Sequence, residues 1–257
     1  MVMRPAPDTT AQPIARLASL LRARRRFWLE AALAALGAAV TLVVLHLSLL
    51  EGGLTLSVAS FAVALAAIAW SAERWYPHDR FGLCNTVTLL RAAILCAILG
   101  SLAAGPDGPV WAILGLAVLA LVLDGIDGFL ARRSGLSSEW GAFFDMEVDA
   151  AMGLVLALHI MAAGHVGAHV LILGIMRYVF LGLFPVFPWL ARPLPPSFAR
   201  KAVCVLQVSA LIVLLIPVLP QAGAQMIALG AIAALLWSFG RDSFWLWQRR
   251  HQPILAR

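Results

Sequence analysis

Long apolar runs dominate this chain, and they constrain its fold more than any other feature. Eight of them approach the roughly 20 residues that a transmembrane helix needs. We predict spans at 28–50, 54–72, 83–103, 110–130, 142–162, 167–189, 202–219 and 225–246. Charged residues make up only 12% of the chain, whereas a soluble domain carries about 25%. Because backbone polar groups in lipid must be satisfied internally, the sequence predicts an all-α, polytopic transmembrane helical bundle.

Basic residues outside the spans fall on one side of this predicted bundle. The two terminal segments and the loops after spans two, four and six carry Lys and Arg, while the opposite loops carry none. Loops rich in Lys and Arg stay in the cytoplasm, so we expect both termini to be cytoplasmic. This pattern explains the excess of 19 basic over 13 acidic residues. The expected partner is the lipid bilayer, with no nucleic acid.

Acidic residues concentrate where spans four and five approach the cytoplasmic side. Asp124 and Asp127 are three residues apart and share a helix face, as do Asp145 and Asp149 at a spacing of four. Since the connection is short, we expect antiparallel neighbouring helices whose carboxylate pairs face each other. Four carboxylates without cations would repel one another or take up protons, and oxygen ligands suit Mg²⁺ or Mn²⁺. The sequence therefore predicts a divalent metal site here.

Small residues and one arginine follow the same helix faces. Gly128 and Ala131 lie four and seven residues after Asp124, and Gly141 lies four residues before the first aspartate of span five. Small side chains on this stripe leave room for a ligand against the backbone. Arg132 stands at the cytoplasmic mouth, where a guanidinium can meet a phosphate or brace a carboxylate.

Together these residues resemble the signature of the class I CDP-alcohol phosphotransferase family, also called CDP-alcohol phosphatidyltransferases. From Asp124 to Asp149 the sequence matches D-x-x-D-G-x-x-A-R, eight residues, then G-x-x-x-D-x-x-x-D, at every fixed position. The family core has six helices. The resemblance implies that this core covers 81–246, which leaves the basic cytoplasmic arm at 1–27, two extra N-terminal transmembrane helices within 28–80 and a cytoplasmic tail at 247–257.

The resemblance implies a role for each matching residue. Asp124, Asp127, Asp145 and Asp149 would hold the metal, in a two-metal site, and Asp149 would also be the general base. The residues implied to line the CDP-alcohol site are Gly128, Ala131, Arg132 and Gly141.

A second pattern opens span three. Asn85, Thr88 and Arg91 are three residues apart, and many family members carry N-x-x-T-x-x-R at this helix, although Cys84 replaces the usual proline. We predict that Asn85 and Thr88 form a wall of the nucleotide pocket. A helix cap with an interface arginine is the alternative.

Basic residues beyond this motif point to the acceptor. Arg177 lies inside span six with no acidic residue in the same run. An arginine at that depth indicates an aqueous cavity or an anionic partner. With Arg200 and Lys201 at the start of span seven, it resembles the basic clusters of members that act on phosphorylated acceptors. We predict that these three bind the acceptor phosphate. The alternative for Arg200 and Lys201 is that their positive charge only sets the orientation of the chain in the membrane.

The sequence thus predicts a phospholipid-biosynthesis enzyme that transfers a phosphatidyl group from a CDP-alcohol, such as CDP-diacylglycerol, to an acceptor hydroxyl with release of CMP. Glycerol 3-phosphate is the favoured acceptor. The alternatives are serine, choline or inositol as acceptor, a carboxylate-lined cation transporter, and a non-catalytic interaction partner. We further expect a homodimer in a bacterial inner membrane, with the active site facing the cytoplasm. Some activity should remain without residues 1–76.

Overall fold

Eight α-helices form the part of the chain that this computed structural model describes, residues 11–105, 108–195 and 197–250, with side chains described from Arg24 onwards. They are α1 (Ala11–Leu49), α2 (Leu54–Trp75), α3 (Gly82–Ser101), α4 (Val110–Ser134), α5 (Glu139–Ala162), α6 (Leu171–Gly182), α7 (Phe198–Leu214) and α8 (Gln221–Gln248). Three short 3₁₀ segments accompany them, and these ranges contain no strand. The predicted all-α bundle is confirmed.

Five helical segments are long and apolar enough to cross a membrane: Arg24–Leu49, Leu54–Trp75, Gly82–Ala104, Val110–Ser134 and Gln221–Gln248. Helices α5 and α7 are not among these five segments: α5 carries four acidic residues (Glu139, Asp145, Glu147 and Asp149), and α7 has only 17 residues. Helix α6 has only 12, so the sixth span is shorter than the predicted 167–189. Pro185 and Pro188 explain the early end, because proline lacks the N–H that a helix needs and clashes with the preceding turn.

Helix α3 is the centre of the bundle. In its most apolar stretch 56% of the residues are buried, against 11% to 33% in the other four candidate spans. It packs against α1, α2, α4 and α5. Small residues make this possible: Ala93 and Ala97 are fully buried, and Gly100 lies directly against Ser57 of α2. Such residues let helix backbones approach closely, which encloses the polar face of α3.

Helices α4 and α5 are arranged differently from the prediction. Their connection is tight, since α4 ends at Ser134, Gly135 takes a left-handed φ of 69°, and α5 begins at Glu139. Nevertheless, within the described ranges the two helices do not pack face to face; each packs against α3 instead. The prediction of closely packed neighbours was therefore wrong, but the predicted meeting of aspartates from the two helices across one gap is confirmed, since oxygens of Asp124, Asp127 and Asp145 lie within 4.8 Å of one another. The buried α3 forms the floor of a cleft between them.

The N-terminal helices are part of the same bundle. Helix α1 begins at Ala11 and runs without a break into the first span, so the predicted boundary at 27/28 lies inside a helix. Residues 1–10 of the predicted arm and 251–257 of the predicted tail lie outside the described ranges. Both α1 and α2 pack on α3, and α2 also contacts α5.

Candidate active site

Four carboxylates converge on one buried arginine. Arg91 of α3 is 1% exposed, and its Nη1 donates to Asp127 Oδ2 at 3.0 Å and to Asp145 Oδ1 at 2.6 Å. Its Nη2 contacts Asp124 Oδ1 at 2.9 Å and also Asp149 Oδ1. The aspartate pairs of α4 and α5 therefore meet around the Arg91 guanidinium, which reaches them from α3.

The polar face of α3 supports this cluster. Thr88 donates to Asp127 Oδ2 at 2.9 Å, so Asp127 accepts from two residues of α3 and is only 4% exposed. Asn85 is buried one turn earlier and donates to the Phe81 carbonyl and the Tyr76 hydroxyl. Because side chains at this spacing share one helix face, Asn85, Thr88 and Arg91 form one buried polar face of α3.

The donor set fits a divalent cation. One oxygen each of Asp124, Asp127 and Asp145 can be chosen so that all lie within 4.8 Å of one another. The side chains of Asp124, Asp145 and Asp149 are 34%, 38% and 47% exposed, so the site is open to ligands. Four carboxylates against one guanidinium leave three negative charges, and hard, oxygen-bound cations such as Mg²⁺ compensate that excess.

The small residues of the motif border the cleft. A Cβ on Gly128 would lie 3.4 Å from Arg132 Nη1, so the Arg132 side chain folds back along this glycine. A Cβ on Gly141 would meet Ser138 Oγ at 3.1 Å and Asn85 Oδ1 at 3.6 Å. Gly141 thus marks the place where the start of α5 approaches α3. Ala131 is half-buried on the same helix as Gly128.

The charge partner of Arg177 differs from the one that the sequence led us to expect. Its Nη2 forms an ion pair of 2.5 Å with Glu147 Oε1, and its Nη1 lies 3.7 Å from Met146 Sδ. The inference that Arg177 lacks a carboxylate partner was wrong, because Glu147 lies on the face of α5 that turns toward α6. Its partner is on another helix, where residue spacing gives no signal.

The basic residues of α7 lie in a mixed cluster with α8. Arg200 Nη1 lies 3.2 Å from Asp242 Oδ2, and Arg241 Nη2 lies 2.8 Å from Asp242 Oδ1. Lys201 is exposed. Two arginines share the single carboxylate of Asp242, and the exposed Lys201 follows Arg200 directly in the chain, so this region keeps a positive excess. Arg241 and Asp242 were not singled out from the sequence, although their position near the end of the last helix agrees with the basic side of the bundle.

Tyr76 is a further residue that sequence reasoning missed as part of the site. It follows α2, donates to the Arg80 carbonyl at 2.8 Å and accepts from Asn85 Nδ2 at 3.0 Å. Burial raises the pKa of Tyr76 to about 12, so the phenol keeps its proton at neutral pH. From the sequence it reads only as an interfacial aromatic residue.

The model of the CDP-alcohol phosphatidyltransferase family matches residues 81–238, more than half of the chain. Comparison with curated proteins and with solved structures finds no match.

Proposed function

The chain belongs to the CDP-alcohol phosphatidyltransferase family, and on that premise we propose that it moves the phosphatidyl group of a CDP-alcohol such as CDP-diacylglycerol to the hydroxyl of a phosphorylated acceptor. Membership makes it an integral membrane transferase of substituted phosphate groups. The family match together with the intact motif argues against a transporter and against a non-catalytic partner. The observation that carries the proposal is the group of four aspartates around Arg91, open to ligands in the cleft.

The aspartates would hold Mg²⁺ or Mn²⁺, in a two-metal site. The 4.8 Å grouping of Asp124, Asp127 and Asp145 and the uncompensated negative charge support this, and Asp149 contacts the same guanidinium. Bound divalent cations would neutralise the diphosphate and stabilise the departing CMP.

The residues of the chain supply the rest of the chemistry. We assign Asp149 as the general base, because it is the most exposed of the four carboxylates and so the easiest for an acceptor hydroxyl to reach. As the acceptor oxygen attacks the phosphorus that carries the lipid alcohol, its proton passes to an Asp149 carboxylate oxygen. The bond from that phosphorus to the CMP oxygen breaks, and CMP leaves. Arg91 and Thr88 fix the positions of the carboxylates.

The CDP-alcohol would lie against the residues that border the cleft. The small side chains at Gly128, Ala131 and Gly141 leave space beside the backbone, and Arg132 offers a guanidinium for a phosphate. Asn85 and Thr88 form the opposing wall on α3. The proximity of Asn85 to Gly141 supports a shared pocket between α3 and α5.

For the acceptor we favour a phosphorylated alcohol such as glycerol 3-phosphate. The positive excess around Arg200 and Lys201 supports this choice, and α7 packs against both α4 and α5, which border the cleft. Arg177 stays a predicted ligand, with its charge already balanced by Glu147. Serine, choline and inositol are the competing acceptors, since they need no cation beside the hydroxyl.

Orientation and assembly remain predictions. The basic ends of α2, α4 and α8 and the basic start of α7 support a cytoplasmic active site with both termini on that side. A homodimer and a bacterial inner membrane are expected from the resemblance alone.

The direct test measures CMP release by the purified chain in lipid nanodiscs, with CDP-diacylglycerol and a panel of acceptors. We expect turnover with glycerol 3-phosphate and Mg²⁺ or Mn²⁺, and reversible loss of turnover with EDTA. Asp149→Asn should lower kcat by about 10²- to 10⁴-fold, the usual contribution of a general base. Glu139→Gln, an exposed residue at the start of α5, serves as control. Turnover by fully chelated enzyme, or with serine alone among the acceptors, would contradict the proposal.

A further inference from the structure

Three side chains outside the family match hydrogen-bond to the helices that carry the site. Glu30 of α1 accepts from the Phe81 N–H at 3.1 Å, immediately before α3. Ser71 of α2 accepts from Trp140 Nε1 at 3.0 Å, in the first turn of α5. Tyr76, in the link between α2 and α3, accepts from Asn85. The hairpin α1–α2 and this link therefore contact α3 and α5 near the N-terminal ends of those two helices.

The Tyr76 contact determines how the Asn85 amide is oriented. The Tyr76 hydroxyl uses its single proton on the Arg80 carbonyl, so toward Asn85 it can only accept. The second Asn85 N–H goes to the Phe81 carbonyl at 2.6 Å. Because a side-chain amide has two N–H donors, both are used. The carbonyl oxygen remains, and it lies next to Gly141, 3.6 Å from where a Cβ would stand.

Aromatic packing holds Tyr76 in place from two sides. Its ring centroid lies 5.2 Å from that of Phe27 on α1 and 5.0 Å from that of Trp140 on α5. Trp140 in turn packs against Phe144 at 5.3 Å, the residue before Asp145. Ring pairs at these separations attract each other beyond their burial. The aromatic cluster connects the N-terminal helices to the helix that carries two of the four aspartates.

We propose that Tyr76 is a positioning residue of the nucleotide site: it holds Asn85 with its carbonyl oxygen toward Gly141, as an acceptor for an N–H or O–H group of the CDP-alcohol. The inference rests on the proposed function. On this proposal the hairpin α1–α2, which lies outside the matched residues 81–238, contributes to binding of the CDP-alcohol. For a chain without residues 1–76 we predict a raised KM for the CDP-alcohol, since that deletion removes Tyr76 together with Glu30 and Ser71.

The experiment uses the full chain in nanodiscs with CDP-diacylglycerol as the probe and CMP release as the readout. Tyr76→Phe keeps the ring and its packing and removes only the hydroxyl. One hydrogen bond contributes little net energy, so we expect the KM for CDP-diacylglycerol to rise about three- to tenfold, with the KM for the acceptor unchanged. Tyr178→Phe is the matched control, because Tyr178 is the other tyrosine of the chain and should leave both constants unchanged.

A double-mutant comparison separates positioning from general stabilisation. Asn85→Ala should raise the same KM, and adding Tyr76→Phe to it should raise the KM no further, because residues that act through one another are not additive. An unchanged KM in Tyr76→Phe, or additive effects in the double variant, would overturn the inference while wild-type turnover upholds the proposed function. Absence of CMP release from the wild type with every acceptor would overturn both.

Discussion

Arg91 shows how one side chain can organise an active site inside a membrane protein. A guanidinium carries five N–H donors in a rigid plane, which allows it to contact four carboxylates from two helices. A lone charge at this depth would be costly, and so would four carboxylates alone. The guanidinium and the carboxylates therefore lower each other's cost of burial. Three of the four aspartates stay exposed enough to bind ligands.

Replacing Arg91 by lysine should test this role. An ammonium group is a point charge that cannot bridge separated carboxylates. Loss of even one charge-assisted hydrogen bond costs roughly 1.5–3 kcal/mol, so we expect kcat/KM for CMP release to fall about ten- to a hundredfold. Arg133→Lys is the control, since Arg133 is exposed beside the Phe129 ring. Wild-type turnover in Arg91→Lys would show that the positive charge alone suffices.

The sequence predicted that the aspartates lie together, but it did not predict the ion pair between Arg177 and Glu147. Asp124 with Asp127, and Asp145 with Asp149, lie on single helices, where a spacing of three or four residues directly implies a shared face. Glu147 and Arg177 are 30 positions apart on helices whose register depends on packing. That register cannot be derived from residue spacing, so the sequence left Arg177 unpaired.

At the scale of elements, close packing between α5 and α6 sets the position of the acidic helix. A Cβ on Gly174 of α6 would lie 2.6 Å from Leu154 Cα and 2.9 Å from the Gly153 carbonyl oxygen. Backbones this close leave no space for a methyl group. The α5–α6 contact therefore depends on glycine, in the manner of small-residue interfaces in membranes.

Gly174→Ala should consequently destabilise the protein by about 1–3 kcal/mol, the usual cost of overpacking. The thermal unfolding midpoint of the purified chain in detergent measures this effect. Gly230→Ala on α8 is the matched control, because a Cβ there would meet nothing within 4 Å and alanine favours a helix over glycine. Equal midpoints for the two variants would mean that α6 shifts to accept the methyl group.

The arrangement of α4 and α5 shows a limit of reading connections from a sequence. A short link normally joins packed neighbours, and here it joins two helices that both rest on α3. The decisive feature is the burial of α3, which its small residues allow and which a list of apolar runs does not reveal. The cleft that results is the space that a substrate needs.

At the scale of the whole molecule, two contacts between different helices involve basic residues on the predicted cytoplasmic side. Arg24 pairs with Glu73, joining α1 to the end of α2, and Arg192 donates to the carbonyl of Arg249 after α8. Within the described residues, Arg24, Arg192 and Arg249 thus lie on the side of the bundle that the sequence predicts to be basic. A charged surface of this kind raises the local concentration of anionic substrates.

Lys201 offers the clearest test of that effect. Lys201→Ala should raise the KM for glycerol 3-phosphate about tenfold, within the range of a lost charge-assisted hydrogen bond, and should leave the KM for CDP-diacylglycerol nearly unchanged. Arg74→Ala on α2 removes the same charge from an exposed position away from α7. Equal effects of the two variants would indicate general attraction of anions, and no effect of Lys201→Ala would remove this lysine from the acceptor site.

The central place of α3 also has a consequence for how the protein is made. Synthesis proceeds from the N-terminus, so α3 enters the bilayer before α4 and α5 exist, and Arg91 enters with it. On insertion scales an arginine at a helix centre costs about 2.5–3.5 kcal/mol, and its four carboxylate partners arrive only with the next two helices. A chain whose synthesis stopped after α4 would contain only Asp124 and Asp127 of the four aspartates. The carboxylates of the catalytic centre are therefore also the groups that offset the cost of Arg91 in the membrane.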